Sequence, residues 1–136
     1  MEDQMEERPE DYAKYWVQQA IRFYKAVGKP VALAEFSNPN GMFIQGEMYI
    51  FVLSSTGTML AHGINERFVG IDFIDVKDSD GKPFNRELVT TANAKGSGWV
   101  EYKWYHPRRN RVLPKIAYYE KIDDVIICSA IYKDED

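Results

Sequence analysis

The spacing of apolar residues changes near residue 42 of this chain, from the period of an α-helix to the period of a β-strand. Five apolar residues recur at intervals of three or four positions near the start, namely Tyr12, Trp16, Ala20, Phe23 and Val27. This spacing predicts one amphipathic helix over about 9–27, which begins at a proline and ends at Gly28. A second, short helix is predicted over 30–37, before a turn rich in asparagine.

From residue 42 onward, apolar residues alternate with polar ones, which indicates β-structure. The pattern predicts strands over 49–53, 58–62, 98–105, 115–121 and 125–132, and one more helix over 84–95. The first two strands form a hairpin by their turn residues, and short turns make the last three antiparallel neighbours. We therefore expect an α+β fold in which N-terminal helices pack on a five-stranded antiparallel sheet, with a crossing segment after the second strand.

The length and composition favour one soluble globular domain. The chain has 136 residues, 45% of them hydrophobic, and it shows no linker or repeat, so we expect a single domain over 1–136 with an acidic extension at about 1–8. No apolar run reaches the roughly 18–20 residues of a membrane span. The charged N-terminus is also unlike a signal peptide, so no membrane contact by the chain itself is expected.

Charge is distributed unevenly along the chain. The formal net charge is −4, which argues against a nucleic-acid partner. Acidic residues concentrate in 1–11 and 134–136, so that residues 12–133 carry a net charge of +4. A mildly basic body suits a small anion better than a cationic ligand.

Residues 76–87 share part of the pattern of a calcium-binding loop. Asp78, Asp80, Gly81 and Glu87 fall at matching positions, but Val76 occupies the first ligand position, where a carboxylate is needed. We expect a turn instead, with aspartate side chains capping the helix that follows.

The chain offers few groups for nucleophilic catalysis, which needs a nucleophile beside a base. Only His62, His106 and Cys128 qualify by residue type. Cys128 lies in an apolar strand and is expected to be buried and inert, whereas His106 precedes Pro107 in a turn and is expected to be exposed. Phosphate-loop and zinc-protease motifs do not occur, and a single cysteine excludes an internal disulfide or a thiolate metal cluster. We predict no enzyme activity, no cofactor and no metal.

Several polar side chains lie on otherwise apolar strands. Lys115 begins one strand and His62 ends another, while Tyr102 and Trp104 share one face of theirs, as do Tyr49 and Phe51. An apolar box with one cation and a few hydroxyl or N–H donors suits a small carboxylate. Each residue also has a structural interpretation: the aromatic rings as half-buried core, Lys115 as a solvated strand end and His62 as a turn cap.

Four blocks of sequence resemble the single Cache sensor domain family, and its second subtype in particular. These blocks are FSNPNGMFIQGEMYIFVLSSTGTMLAHG, GIDFIDVKDSDGKPFNREL, KGSGWVEYKWYHP and LPKIAYYEKIDDVIICSAIYK. The resemblance extends from about Tyr12 to Lys133. Such domains form the ligand-binding part of bacterial and archaeal chemoreceptors and histidine kinases.

The resemblance implies a PAS-like sheet behind a long N-terminal helix. It also implies non-catalytic binding of a short carboxylic acid, such as acetate, propionate, pyruvate or lactate, between the sheet and the crossing loops. The implied ligand-binding residues are Tyr49, Phe51, His62, Tyr102, Trp104, Lys115 and Tyr118. Lys115 would pair with the carboxylate, and the tyrosines and histidine would hydrogen-bond its oxygens. Lys115 and Tyr118 differ in strand parity, so a bulge or the edge of the strand would be needed to aim both at one pocket.

Two departures from the family pattern affect the interpretation. Gly63 stands where the family favours a proline, and the transmembrane helices that usually flank such domains are absent from this sequence. The domain is thus expected to be cytoplasmic if Met1 is the native start, and extracytoplasmic if the chain is cut from a membrane receptor. The alternative function is an interaction or dimerisation domain without a ligand, in which helix 9–27 pairs with a second copy. An enzyme with His62 as its base is the third hypothesis.

Overall fold

The computed structural model describes residues 8–133. Two helices precede the sheet and a third follows the first two strands. The elements are α1 (Pro9–Val27), α2 (Lys29–Phe36), β1 (Ile50–Ser54), β2 (Met59–His62), α3 (Phe84–Lys95), β3 (Ser97–His106), β4 (Arg111–Ile122) and β5 (Val125–Tyr132). A short 3-10 helix, Glu66–Phe68, follows β2. None of the helices within this part of the chain combines the length and hydropathy that a membrane crossing requires.

The five strands form one antiparallel sheet in the order β2-β1-β5-β4-β3, which confirms the predicted α+β fold. The predicted boundaries agree closely except that β4 begins at Arg111, earlier than expected. Pairing of β1 with β5 joins the first hairpin to the last three strands. The strand order follows from these pairings. Each hairpin places its own strands side by side, and the long connection after β2 links the first hairpin to the last three strands.

Each face of the sheet carries its own hydrophobic core. Helices α1 and α2 cover one face, which we call the helix face, over residues such as Ile50, Val52 and Ile127. Helix α3 and the crossing segment 63–83 cover the other, which we call the cavity face, over Phe51, Leu53 and other alternate residues. Because side chains alternate along a strand, neighbouring residues belong to different cores.

The buried stripe of α1 differs from the predicted one. The residues that face the sheet are Ala13, Val17, Ala20 and Tyr24. Tyr12 and Val27, which were expected in the stripe, are 49% and 38% exposed. Small side chains let the helix backbone approach the sheet closely, so the larger Trp16 and Phe23 pack along the flank of the contact.

The crossing segment follows the edge of β2 through backbone hydrogen bonds. Met59 donates to Ile71, and Gly70 donates back to Met59, at 2.9 and 2.8 Å. At the start of this segment, a Cβ added to Gly63 would lie 2.9 Å from Cβ of Tyr49 and 2.8 Å from Ile44. Glycine therefore allows the segment to pass directly behind Tyr49.

The aspartate-rich turn does not cap α3. The Asp78 carboxylate accepts hydrogen bonds from the backbone of Asp80, Lys82 and Lys103, and so fixes the turn to β3. Helix α3 begins after Pro83 with no side-chain cap, so that part of the prediction is wrong. Asp78 lies six residues before the first residue of α3, and its carboxylate oxygens already accept the hydrogen bonds of the turn. Within residues 8–133, no group of three potential metal ligands comes together.

Candidate functional site

A cavity lies between the cavity face of the sheet and the crossing segment. It has an outer compartment of about 450 Å³ and an inner compartment of about 40 Å³. Five residues line both compartments, namely Tyr49, His62, Phe68, Trp104 and Lys115. The inner compartment exceeds the roughly 10–15 Å³ that one water molecule needs, but it accommodates only a few atoms.

Lys115 places a cation at the junction of the two compartments. It lies on β4, opposite Tyr102 of β3 and Tyr132 of β5. The residue is 2% exposed, and its Nζ lies 3.5 Å from the Tyr49 hydroxyl and 4.6 Å from the centre of the Tyr132 ring. Across the described residues 8–133, it forms no ion pair within 4.0 Å. A buried ammonium group without an anion is unfavourable, so the site is electrostatically incomplete.

Burial lowers the pKa of Lys115 to about 8, while the negative charge of Glu47 acts in the opposite direction. The ammonium form therefore predominates at neutral pH. The aromatic rings of Tyr49 and Tyr132 partly compensate for lost hydration through cation–π contacts. A carboxylate beside Lys115 would compensate more completely.

His62 presents a fixed hydrogen-bond donor to the same cavity. Its Nδ1 accepts hydrogen bonds from the backbone N–H groups of Ile64 and Asn65, at 3.2 and 2.9 Å. An accepting Nδ1 places the proton of the neutral ring on Nε2. Burial, followed by the charge of Lys115, lowers the pKa of His62 to about 4. The ring is therefore neutral at physiological pH and can donate from Nε2.

Aromatic rings enclose the inner compartment. Phe84 of α3 stacks on Tyr102 with ring centres 4.1 Å apart, and Trp104 meets Phe84 edge-on at 5.6 Å. Phe68 lies edge-on to His62 at 5.0 Å. Burial raises the pKa of the Tyr102 hydroxyl, which stays protonated as a donor. These walls exclude water and limit the size of any occupant.

Glu47, His106 and Arg108 form the rim of the outer compartment. His106 was predicted to be exposed, but it is 3% exposed, so that prediction is wrong. Its Nδ1 accepts from the backbone of Arg108 and Arg109 at 3.2 Å each, and its Nε2 lies 2.8 Å from the Glu47 carboxylate. The turn thus folds over its own histidine.

The rim carboxylate is already paired. Arg108 forms an ion pair with Glu47 through its guanidinium group. Burial alone raises the pKa of Glu47, but hydrogen bonds and charges from Arg108 and His106 outweigh it and lower the pKa overall. Since Glu47 and Arg108 offset each other, Lys115 gives the cavity lining a net charge of about +1.

The structure brings together six of the seven predicted site residues, namely Tyr49, Phe51, His62, Tyr102, Trp104 and Lys115. Tyr118 does not join them. Its ring lies 4.9 Å from Trp99, and its hydroxyl donates to Glu120 at 2.6 Å, among residues of the helix face. Pairing of β4 with both neighbours is regular from Lys115 to Tyr118, so no bulge corrects the difference in parity. Whether the six residues bind a ligand stays a prediction.

Sequence reasoning missed several lining residues, namely Glu47, Asn65, Phe68, Asn85, His106, Arg108 and Tyr132. Tyr132 could have been found, because it shares the alternation of Ile126 and Cys128 on β5. Glu47 and Arg108 are 61 residues apart, and no local pattern connects them.

Cys128 is fully buried as expected, and burial raises the pKa of its thiol well above the ordinary value.

Comparison with known proteins places the chain among sensory domains. The sequence model of the family called Single Cache domain 2 matches residues 24–135. The chain is also similar to the sensor histidine kinase MctS of Rhizobium johnstonii, with 28% identity over 89 residues. That match covers 64% of this chain and 19% of the kinase, so the chain spans about a fifth of that relative's length.

Two solved structures share the fold. One is a methyl-accepting chemotaxis protein from Vibrio parahaemolyticus, with a TM-score of 0.77, 23% identity, and coverage of 90% of this chain and 87% of that one. The other is a Cache chemosensory domain described for carboxylic acid recognition, with a TM-score of 0.77, 24% identity, and coverage of 94% and 100%. The PAS-like arrangement expected from the sequence is confirmed by these neighbours. With a family match over most of its length and the corresponding fold, the chain belongs to the Single Cache domain 2 family.

Proposed function

We propose that this domain is the non-catalytic input module of a signalling protein and binds a small carboxylate in the cavity. The observation that carries the proposal is Lys115, a buried cation with no ion-pair partner within 4.0 Å in the described part of the chain. A ligand carboxylate beside its Nζ would supply the missing charge.

The surrounding donors suit the two oxygens of one carboxylate. The Nε2–H of His62 and the hydroxyl of Tyr49 line the same compartments as Lys115. The net charge of about +1 favours a monoanion, because one ligand charge neutralises Lys115 and a second negative group would have no cation to pair with in the lining. The small inner compartment favours a chain of few carbon atoms, in the range of acetate, propionate, pyruvate and lactate.

The state of His62 supports binding rather than catalysis. A general base needs a free nitrogen lone pair and a pKa near the working pH. Nδ1 of His62 already accepts two backbone N–H groups, and its pKa of about 4 is far below neutrality. His62 therefore serves as a donor to a bound anion.

The names of the similar proteins support a role in signal transduction. The Rhizobium relative is a sensor histidine kinase, and one structural neighbour is a methyl-accepting chemotaxis protein. The described carboxylic acid recognition of another neighbour fits the ligand class deduced from Lys115.

We propose that helix α1 belongs to the domain, because it packs on β4 and β5, although the family match begins only at residue 24.

Dimerisation through α1 stays a prediction. Tyr15 is 56% exposed on the side of α1 that faces away from the sheet, which is compatible with a second copy at that surface. Light scattering on the purified protein tests this directly. The alternative function, an interaction or dimerisation domain without a ligand, would have a pocket filled by its own side chains. A cavity of about 450 Å³ argues against it.

The test is a calorimetric titration with acetate, propionate, pyruvate and lactate, on the wild type and on Lys115→Met. We expect at least one acid to bind and the substitution to weaken it by about a hundredfold or more, because a desolvated charge pair is lost. Lys121→Met is the matched control, on the same strand but outside the cavity lining, and should leave the affinity unchanged. Absence of binding by all four acids, or unchanged affinity in Lys115→Met, would contradict the proposal.

A further inference from the structure

Asn85 is a buried polar residue to which the features described so far assign no role. It lies in the first turn of α3, is 3% exposed, and lines the inner compartment but not the outer one. No hydrogen bond of its side-chain amide to any residue of 8–133 is present, and neither amide atom is sealed inside the protein. The amide thus has unused donors and an unused acceptor that open onto the inner compartment.

A buried amide without a partner is unfavourable and is normally satisfied by a protein group, a water molecule or a ligand. The other residues that line only the inner compartment are apolar or aromatic, namely Phe51, Met59, Phe73, Phe84 and Tyr102. The first turn of α3 also lacks a side-chain cap, and the positive end of its dipole favours an acceptor oxygen nearby. A polar side chain in a mainly aromatic pocket can select among ligands of equal size.

Resting on the proposed function, we infer that Asn85 selects short carboxylates that carry an oxygen beside the carboxylate, as 2-oxo and 2-hydroxy acids do. Lys115 lines both compartments, so a carboxylate held there can place its carbon chain in the inner compartment, which Asn85 also lines. The amide donates to a keto or a hydroxyl oxygen of that chain. An unsubstituted acid of the same length leaves the amide without a partner.

Three acids with one carbon skeleton test the inference, because propionate, lactate and pyruvate differ only at the second carbon. The wild type should bind lactate or pyruvate about three- to tenfold more tightly than propionate, as expected for one additional hydrogen bond. In Asn85→Leu this preference should fall to less than about twofold, while the affinity for propionate stays equal or improves. Asn93→Leu, an exposed position on the same helix, is the matched control and should keep the preference.

Thermal unfolding of each variant shows whether it is folded, and Asn85→Ala replaces Asn85→Leu if leucine does not fit. Equal affinity of the wild type for all three acids overturns the inference while leaving carboxylate binding intact. Equal weakening of all three acids by Asn85→Leu also overturns it, because the residue would then act on the whole pocket. If none of the three acids binds the wild type, this inference fails, and the proposed function fails as well only if acetate does not bind either.

Discussion

The two faces of the sheet are built from alternate residues of the same strands, yet they differ in packing and polarity. On the helix face, Ala13, Val17 and Ala20 of α1 are fully buried, and α2 adds Phe36 at 1% exposure. On the cavity face, Lys115 and His62 are buried beside open space. One face is therefore closed mainly by apolar contact, and the other retains a buried ammonium group and a buried imidazole beside a cavity.

This contrast between the helix face and the cavity face indicates where stability and recognition are expected to reside. A closely packed face loses dispersion and hydrophobic energy when a side chain is shortened. A face with a cavity and an unpaired cation carries an unfavourable term that a ligand removes. Substitutions on the two faces should thus change different measured quantities.

The greatest loss of stability is expected for Phe36 on the helix face, and Phe51 on the cavity face is its matched position. Phe36→Ala should lower the free energy of unfolding by about 3–5 kcal/mol, because Phe36 packs against Phe23 and Phe43. Phe51→Ala should also destabilise the fold and, in addition, change the affinity for longer acids by enlarging the inner compartment. Urea unfolding measures the stability of each variant, and calorimetry measures its ligand affinity. A change of ligand affinity in folded Phe36→Ala would contradict the assignment of recognition to the cavity face alone.

The pH dependence should show opposite trends for stability and for binding. The pKa of Lys115 is about 8 in the folded state and 10.5 as its ordinary value, so the unfolded chain holds the proton longer. Relative to Lys115→Met at the same pH, unliganded stability should therefore rise by about 3 kcal/mol between pH 8 and 10.5, as the buried charge is removed. Carboxylate affinity should fall over the same range, because the neutral amine no longer attracts the anion. Thermal unfolding and titration at matched pH values measure both trends.

On the acid side, His62 predicts a slope of the same sign, because stability again rises with pH. Its pKa is about 4 in the folded state and 6.5 as its ordinary value. The unfolded state therefore binds a proton first as the pH falls, and stability should decrease by about 3 kcal/mol between pH 6.5 and 4. His62→Gln should flatten this slope in thermal unfolding, and an unchanged slope would show that other groups dominate it.

Lys115→Met should separate stability from binding at neutral pH. Replacing a buried, unpaired charge by an apolar side chain of similar length is expected to leave stability unchanged or raise it by about 1–2 kcal/mol. The alkaline rise in stability should also disappear relative to the wild type. Marked destabilisation at pH 7 would mean that Lys115 holds the fold together and would remove the contrast between the faces.

The smallest effect is expected for the tyrosine on the helix face. Tyr118→Phe removes a hydrogen bond to Glu120 at a partly solvated position and should lower stability by less than about 1 kcal/mol. Ligand affinity should not change. Tyr49→Phe, the matched variant on the cavity face, should weaken carboxylate binding by up to about tenfold, since it removes a hydroxyl close to Lys115. Equal effects of the two variants in calorimetry would contradict their placement.

Most of the fold could be predicted from particular local signals. The change of apolar period located the helices and strands, and short turns fixed the antiparallel neighbours among β3, β4 and β5. The face of α1 was assigned wrongly because large aromatic residues dominated the pattern, whereas the sheet contact selected Ala13 and Ala20. Among the site residues, strand parity already indicated the conflict between Lys115 and Tyr118.

Local sequence patterns are sufficient to predict the elements, the class of fold and six of the residues that line the cavity, because alternation and turn chemistry act over a few positions. Long-range packing sets three further relations: His106 is buried against Glu47, Tyr132 flanks Lys115, and Asn85 lines the inner compartment. These relations depend on strand register and on how the crossing segment and α3 settle on the sheet. Contacts between distant segments follow from the packing of the whole chain, which no short stretch of sequence encodes.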